Sequence, residues 1–147
     1  MARNAIAYEE DFFAWTQEQV RLLREGEFSE IDAANIAEEL DSMGKSDRRE
    51  LRTRLGVLLM HLLKWAYQTD QRSRSWLVTI REQRDQIAQV LADSPSLRPV
   101  VHDSLGAIYR RARANAADET NLPETIFPAE CPFTAQQLLS EEFLPEG

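Results

Sequence analysis

Apolar residues recur at helical spacing along most of the chain, and the longest such run lies at residues 51–67. Its leucines fall three and four positions apart, which places them on one face of a helix. Neighbouring apolar residues widen this face to more than half of the circumference, and a helix this apolar is normally surrounded by other helices. The run therefore predicts the central helix of an all-α core, built on Leu51, Leu55, Leu58, Leu62 and Trp65.

The same periodicity predicts helices on both sides of this central one. The inward face of the first helix is expected to consist of Tyr8, Phe12, Trp15, Leu22 and Leu23. In the second helix the expected inward line is Ala33, Ile36, Leu40 and Met43. Glycines are common stop signals, so Gly26 and Gly44 are expected to end these two helices. The predicted main helices are 8–25, 30–43, 46–68, about 73–92 and 97–117.

Proline dominates the C-terminal part of the chain, where three of these residues occur between 123 and 132. Proline cannot continue a helix interior, so this part is expected to form an extended strap across the helices. Thr134 is expected to cap a last short helix, QQLLSEEF. We therefore predict a single all-α domain over 1–147, a helical bundle of about five main helices. Its core bundle covers 8–118, and its strap and short helix cover 119–147.

The composition is that of an ordinary globular protein. The 147 residues suffice for one hydrophobic core without disulfides or metal. A single cysteine, Cys131, excludes an intrachain disulfide and a cysteine-based zinc site. The sequence shows neither a secretion leader nor an apolar run long enough to span a membrane, so we expect a cytoplasmic protein of bacterial type with no membrane partner.

The formal net charge of −8 disfavours binding to nucleic acid. The charge is unevenly spread: residues 1–50 carry −7, residues 51–100 carry +4 and residues 101–147 carry −5. This asymmetry has two interpretations. The favoured one is internal charge complementarity between the acidic and basic parts, and the other is a basic binding face.

Several polar residues fall within or beside the apolar faces. Arg84 lies among Leu77, Ile80 and Leu91, so we expect it to be buried and paired with an acid, most naturally Glu39. Arg54 and His61 share one flank of the central helix near Trp65, and Gln83 lies on the edge of the fourth helix. The candidate polar cluster or pocket consists of Glu39, Arg54, His61, Trp65, Trp76, Gln83 and Arg84. It is interpreted either as a sealed network that fixes helix register or as a ligand or catalytic site.

Metal and cofactor chemistry finds little support in the sequence. The residues three positions before His61 and His102 are Leu58 and Pro99, so there is no Glu-x-x-His pair of a di-metal bundle. We therefore expect no metal, no cofactor and no assigned catalytic residue. One enzymatic pattern remains: Arg54-x6-His61 resembles the Arg-x4-6-His signature of the HEPN ribonucleases, although arginine is frequent enough in this chain for a chance match.

Longer motifs point to one family. The sequence contains N-x-x-E-E-L at 35–40, H-L-L-K-W at 61–65, S-W-x-x-x-I-x-x-Q-R at 75–84, and a closing FPAECPF followed by LLSEEFLP. This combination resembles the bacterial DUF29 family over nearly the whole chain. The resemblance implies an all-helical domain and supplies no activity. The positions that match the family pattern are Asn35, Glu39, His61, Trp65, Trp76, Gln83 and Arg84.

The sequence thus favours a small non-enzymatic protein-interaction module. Its expected partner is another protein or a second copy of the chain. The alternative is an enzyme acting on a small ligand or, in the manner of a HEPN ribonuclease, on RNA. Such an enzyme would use the polar cluster around His61, Arg54, Arg84 and Glu39.

Overall fold

The computed structural model describes residues 6–146, and every regular element in that range is helical. Four long helices and one short helix follow one another, joined by loops and single 3-10 turns. The prediction of an all-α fold is therefore confirmed. The helices are α1 (Phe12–Arg24), α2 (Ala33–Tyr67), α3 (Arg74–Asp93), α4 (Arg98–Thr120) and α5 (Ala135–Leu139).

The described chain forms two compact units, and the division between them falls inside α2. The N-terminal unit ends at Lys45 and the C-terminal unit begins at Ser46. The first contains α1 and the start of α2, whereas the second contains the rest of α2 and the three helices after it. The assignment of residues 1–147 to one domain stays a prediction.

The prediction that Gly44 ends a helix is wrong, because α2 continues through it as one helix of 35 residues. A glycine inside a helix costs about 1 kcal/mol relative to alanine, which the hydrogen bonds of the surrounding turns outweigh. Gly26 differs because its φ is +74°, in the left-handed region that favours glycine after a helix. Of these two glycines, only Gly26 therefore ends a helix.

The middle of α2 is exposed on all sides. Every residue from 40 to 50 is exposed, and the ion pair between Lys45 and Asp41, with an N–O distance of 2.9 Å, lies on this stretch. Leu40 and Met43 are 62% and 65% exposed, so their predicted place on an inward line is wrong.

The core of the C-terminal unit is built on the predicted leucine face. Six leucines of α2 have no exposed surface, and apolar residues of α3, α4 and α5 pack against them. Phe127 and Phe133, which lie outside the α-helices, complete this core. The six leucines are Leu51, Leu55, Leu58, Leu59, Leu62 and Leu63.

The N-terminal unit buries a narrower face than the sequence predicts. Helix α1 begins only at Phe12, because the side chain of Asp11 accepts a hydrogen bond from the Ala14 N–H at 3.0 Å and caps the helix. Its buried residues are Trp15, Gln19 and Leu22.

Residues 121–146 form the mostly irregular C-terminal segment that the sequence predicts as a strap, although the last helix is shorter than expected. Asn121, with φ 58°, ends α4, and the predicted cap Thr134 forms a capping box with Gln137 at the start of α5. The irregular backbone between them has carbonyl groups that need donors. Tyr109 donates its hydroxyl to the carbonyl of Pro128 at 2.6 Å, and Arg113 donates to that of Phe127 at 3.0 and 3.1 Å.

We predict that Gly44→Ala stabilises the protein by about 0.5–1 kcal/mol, because alanine loses less backbone entropy in a helix. A Cβ at position 44 would meet no atom within 4 Å. Urea unfolding followed by circular dichroism measures the change. The control is Gly26→Ala, which also has free space but a left-handed φ, and which should destabilise by about 1 kcal/mol. Equal effects of the two substitutions would contradict this account.

Candidate functional site

Arg84 is buried on α3 and is held by backbone carbonyls of the C-terminal segment. Its side chain is 5% exposed. Nε donates to the carbonyl of Leu138 at 2.9 Å, Nη1 to that of Phe143 at 2.7 Å and Nη2 to that of Gln137 at 3.2 Å. Burial lowers the pKa of this guanidinium, but arginine stays charged at neutral pH. Arg84 therefore fixes the end of α5 and the residues after it against α3.

The predicted burial of Arg84 is correct, but its predicted pairing with Glu39 is wrong. Each of its three guanidinium nitrogens donates to a backbone carbonyl. Glu39 instead accepts a hydrogen bond from the Tyr8 hydroxyl at 2.9 Å. Sequence reasoning sought a charged partner because a buried guanidinium is costly. Two of the acceptor carbonyls lie at the end of α5 and the third is that of Phe143 in the irregular backbone after it, and no side-chain pattern reveals such backbone partners.

Arg54 and Gln83 do meet, in the wall of an open groove. Arg54 Nη1 donates to Gln83 Oε1 at 3.3 Å, and Arg54 Nε donates to Glu50 Oε2 at 2.9 Å. The groove has a volume of about 360 Å³ and lies between α2 and α3. Its lining residues are Ser46, Arg49, Glu50, Thr53, Arg54, Val57 and Gln83.

Lys64 links three helices, which the sequence reasoning missed. Its side chain is almost buried, and Nζ donates to Glu119 Oε1 on α4 at 2.9 Å. The same ammonium lies 4.7 Å from the centroid of the Trp76 ring on α3, a favourable cation–π distance. At 100° per residue, Lys64 lies on the side of α2 opposite the leucine face, so the hydrophobic periodicity predicts an exposed side chain. Its place inside the H-L-L-K-W motif was the available signal.

His61 lies half-buried one turn from Lys64. Its Nδ1 is 2.9 Å from the carbonyl oxygen of Val57, which can only accept, so Nδ1 carries the hydrogen. Burial lowers the pKa of the imidazole below its ordinary value of 6.5, and the nearby ammonium of Lys64 lowers it further. The ring is therefore neutral at pH 7.

Trp65 has a partner of its own at the end of α2. The guanidinium carbon of Arg72 lies 4.6 Å from the centroid of its ring, and Arg72 Nε donates to the Trp65 carbonyl at 2.8 Å. This arrangement covers the C-terminal end of α2, where unpaired carbonyls favour a cation.

The N-terminal unit has a polar network of its own around Asp32. Its carboxylate accepts from Trp15 Nε1 at 3.1 Å and from Asn35 Nδ2 at 2.8 Å, while its backbone N–H donates to Gln19 Oε1 at 2.7 Å. The hydrogen bond from Asn35 is the main cause that lowers the pKa of Asp32. The network explains why Gln19 is buried on α1.

The described residues contain no group of three or more His, Cys, Asp or Glu side chains placed to hold a metal ion. No described helix is long and apolar enough to span a membrane.

Comparison with models of protein families identifies a family for this chain. The model of the family described as "Domain of unknown function DUF29" matches residues 7–144. The chain belongs to the DUF29 family. Searches of curated proteins and of solved structures gave no match.

The residues that match the DUF29 pattern thus lie in separate local arrangements of this family member. Gln83 lines the groove beside Arg54, which is not part of the pattern, His61 and Trp76 lie around Lys64, and Arg84 holds the C-terminal segment. Their interpretation as one pocket stays a prediction. What these arrangements share is a polar side chain that joins two segments.

We predict that Arg84→Ala destabilises the protein by about 3 kcal/mol, because three carbonyls lose the donor that Arg84 supplies and, among the described residues, only that of Gln137 keeps another, the Ser140 N–H. Urea unfolding measures the loss. Arg81→Ala is the matched control, since Arg81 is exposed on the same helix and its loss should change stability by about 0.5 kcal/mol or less. Equal stability of the two variants would contradict the role given to Arg84.

The lowered pKa of His61 gives a pH dependence with a definite sign. The unfolded chain binds a proton at His61 more readily than the folded chain, so stability falls as pH drops below about 6.5 towards the folded pKa. We expect His61→Gln to remove this part of the loss between about pH 7 and pH 5. Unfolding free energies of wild type and variant at both pH values test it. An unchanged slope, or an imidazole pKa by NMR above 6.5, would contradict it.

Proposed function

We propose that this DUF29 chain is a non-enzymatic protein-interaction module that binds its partner through α1. One observation carries the proposal. Four large apolar side chains of α1 are exposed: Phe12 (49%), Phe13 (72%), Val20 (37%) and Leu23 (41%). At about 100° per residue they lie within a 100° arc of α1, interrupted only by Thr16. These four residues are called the apolar arc below.

Single exposed apolar residues are common on protein surfaces, but contiguous ones, above all aromatic ones, are typical of interaction sites. The apolar arc lies beside the buried face of α1, and Phe12 at its N-terminal end stacks on Trp15 with a centroid distance of 5.8 Å. An exposed phenylalanine supplies large contact area at a low cost in side-chain entropy. The arc therefore supports a protein partner.

The geometry supports the enzymatic alternative less well. A HEPN-like site needs Arg54 and His61 to act on one phosphate. Arg54 is hydrogen-bonded to Glu50 and Gln83, and the groove that it lines does not include His61 among its lining residues. Lys64 and Arg84, the most buried of the cations, are covered by neighbouring groups.

Site-specific photo-crosslinking tests the proposed function. A benzophenone side chain replaces Phe13 in the full chain, expressed in the cells that make it naturally. We expect a discrete protein adduct from position 13. The matched control is the same side chain at Val78, which is 45% exposed on α3 and has no comparable apolar neighbours on its face. The absence of an adduct from position 13, or the same adduct from both positions, would contradict the proposal.

A further inference from the structure

We infer that the apolar arc binds a positively charged amphipathic helix. This inference rests on the proposed function and deepens it, since it names the chemistry of the partner. It follows from three properties of the N-terminal unit: its charge, the position of its acids and the length of the arc.

The negative charge of the chain is concentrated in the N-terminal unit. Residues 6–45 contain three Lys and Arg against eleven Asp and Glu, a net charge of −8. Residues 46–146 contain thirteen against fourteen, a net charge of −1. The unit that exposes the apolar arc is therefore also the unit whose field attracts cations, and such a field favours and accelerates the binding of basic partners.

Acidic side chains lie beyond both ends of the apolar arc. Glu9 and Glu10 are exposed just before α1, and Glu27 is exposed just after it. Of the two basic residues of α1, Arg21 is paired with Glu18 at 2.7 Å and with Glu25 at 2.9 Å, whereas Arg24 is exposed in the last turn. A ligand of the arc thus meets an apolar centre with negative charge at either end.

The shape of the arc selects a helix as the ligand. From Phe12 to Leu23 it runs about 17 Å along α1, the length of three helical turns. A partner helix packed along it would bring apolar residues at spacings of three and four into contact. Its matching charges would be Lys or Arg at both ends of that apolar stripe.

Other occupants fit these properties less well. A second copy would bring one charge of −8 against another, and nucleic acid or an anionic membrane would be repelled in the same way. The chain's own arginine-rich stretch, residues 48–54, cannot be the ligand, because its only large apolar residue is Leu51, which is fully buried.

Three synthetic helical peptides of about 14 residues test the inference, a length that covers the arc with one residue to spare at each end. All carry the same leucine stripe, and their other positions hold Lys, Gln or Glu. Calorimetry with the full chain measures binding at about 0.05 M and about 0.5 M salt. We expect the lysine peptide to bind at least about tenfold more tightly than the glutamate peptide, with an advantage that shrinks at high salt.

Two pairs of variants locate the binding site. Phe13→Ala should weaken binding of the lysine peptide about tenfold or more, whereas the control Val78→Ala should not change it. The double variant Glu9→Gln with Glu10→Gln should weaken the lysine peptide several-fold and leave the glutamine peptide unchanged. Its control is Glu141→Gln with Glu142→Gln, since these acids are exposed in the C-terminal unit. Circular dichroism confirms that each variant folds.

The outcomes separate this inference from the proposed function. If the glutamate peptide binds as tightly as the lysine peptide, or if the crosslinked adduct at position 13 is a second copy of the chain, the basic partner is wrong and the interaction module stands. If Phe13→Ala and Val78→Ala affect the lysine peptide equally, the arc is not its binding site and the inference fails. If position 13 gives no adduct and no peptide binds, both proposals fail.

Discussion

The leucine face of α2 is the constraint on which the C-terminal unit depends. Six leucine side chains over fewer than four turns have no exposed surface, and each contributes about 1.5–3 kcal/mol when it is removed from water. No single helix can cover so wide a face. Helices α3 and α4 cover part of it, and Phe127, Phe133 and Leu138 of the C-terminal segment cover the rest. The irregular segment is therefore part of the core and not an appendage.

Covering a core with irregular backbone creates a second problem, which polar side chains solve. Carbonyl groups in such a segment have no helical partners. Two residues of α4, Tyr109 and Arg113, and Arg84 of α3 donate to such carbonyls, and Arg84 donates also to carbonyls at the end of α5. Burial raises the pKa of Tyr109 to about 12, so its hydroxyl remains a donor at any physiological pH. The polar residues that interrupt the apolar faces thus connect one structural element to another by hydrogen bonds.

Most of the fold could be predicted from the sequence, whereas the candidate site could be predicted only in part. Helical periodicity located the leucine face and the burial of Arg84, because both depend on residues within one helix. It failed at Gly44, where the same residue type can continue or end a helix according to φ, and at Phe12 and Leu40, whose apolar side chains are 49% and 62% exposed. The hydrogen-bond acceptors of Arg84 and Lys64 could not be predicted, since they come from segments more than fifty positions away.

The hydrogen bonds of Arg84 to the C-terminal segment have a consequence for the order of folding events during synthesis. The ribosome makes Arg84 well before residues 137–143, which supply its acceptors. Until those residues emerge, the guanidinium has to stay hydrated, because burying it without acceptors is costly. The leucine face of α2 is then also incompletely covered. The nascent C-terminal unit therefore exposes an apolar face and a hydrated guanidinium until residues 137–143 have emerged, and its cooperative folding waits for them.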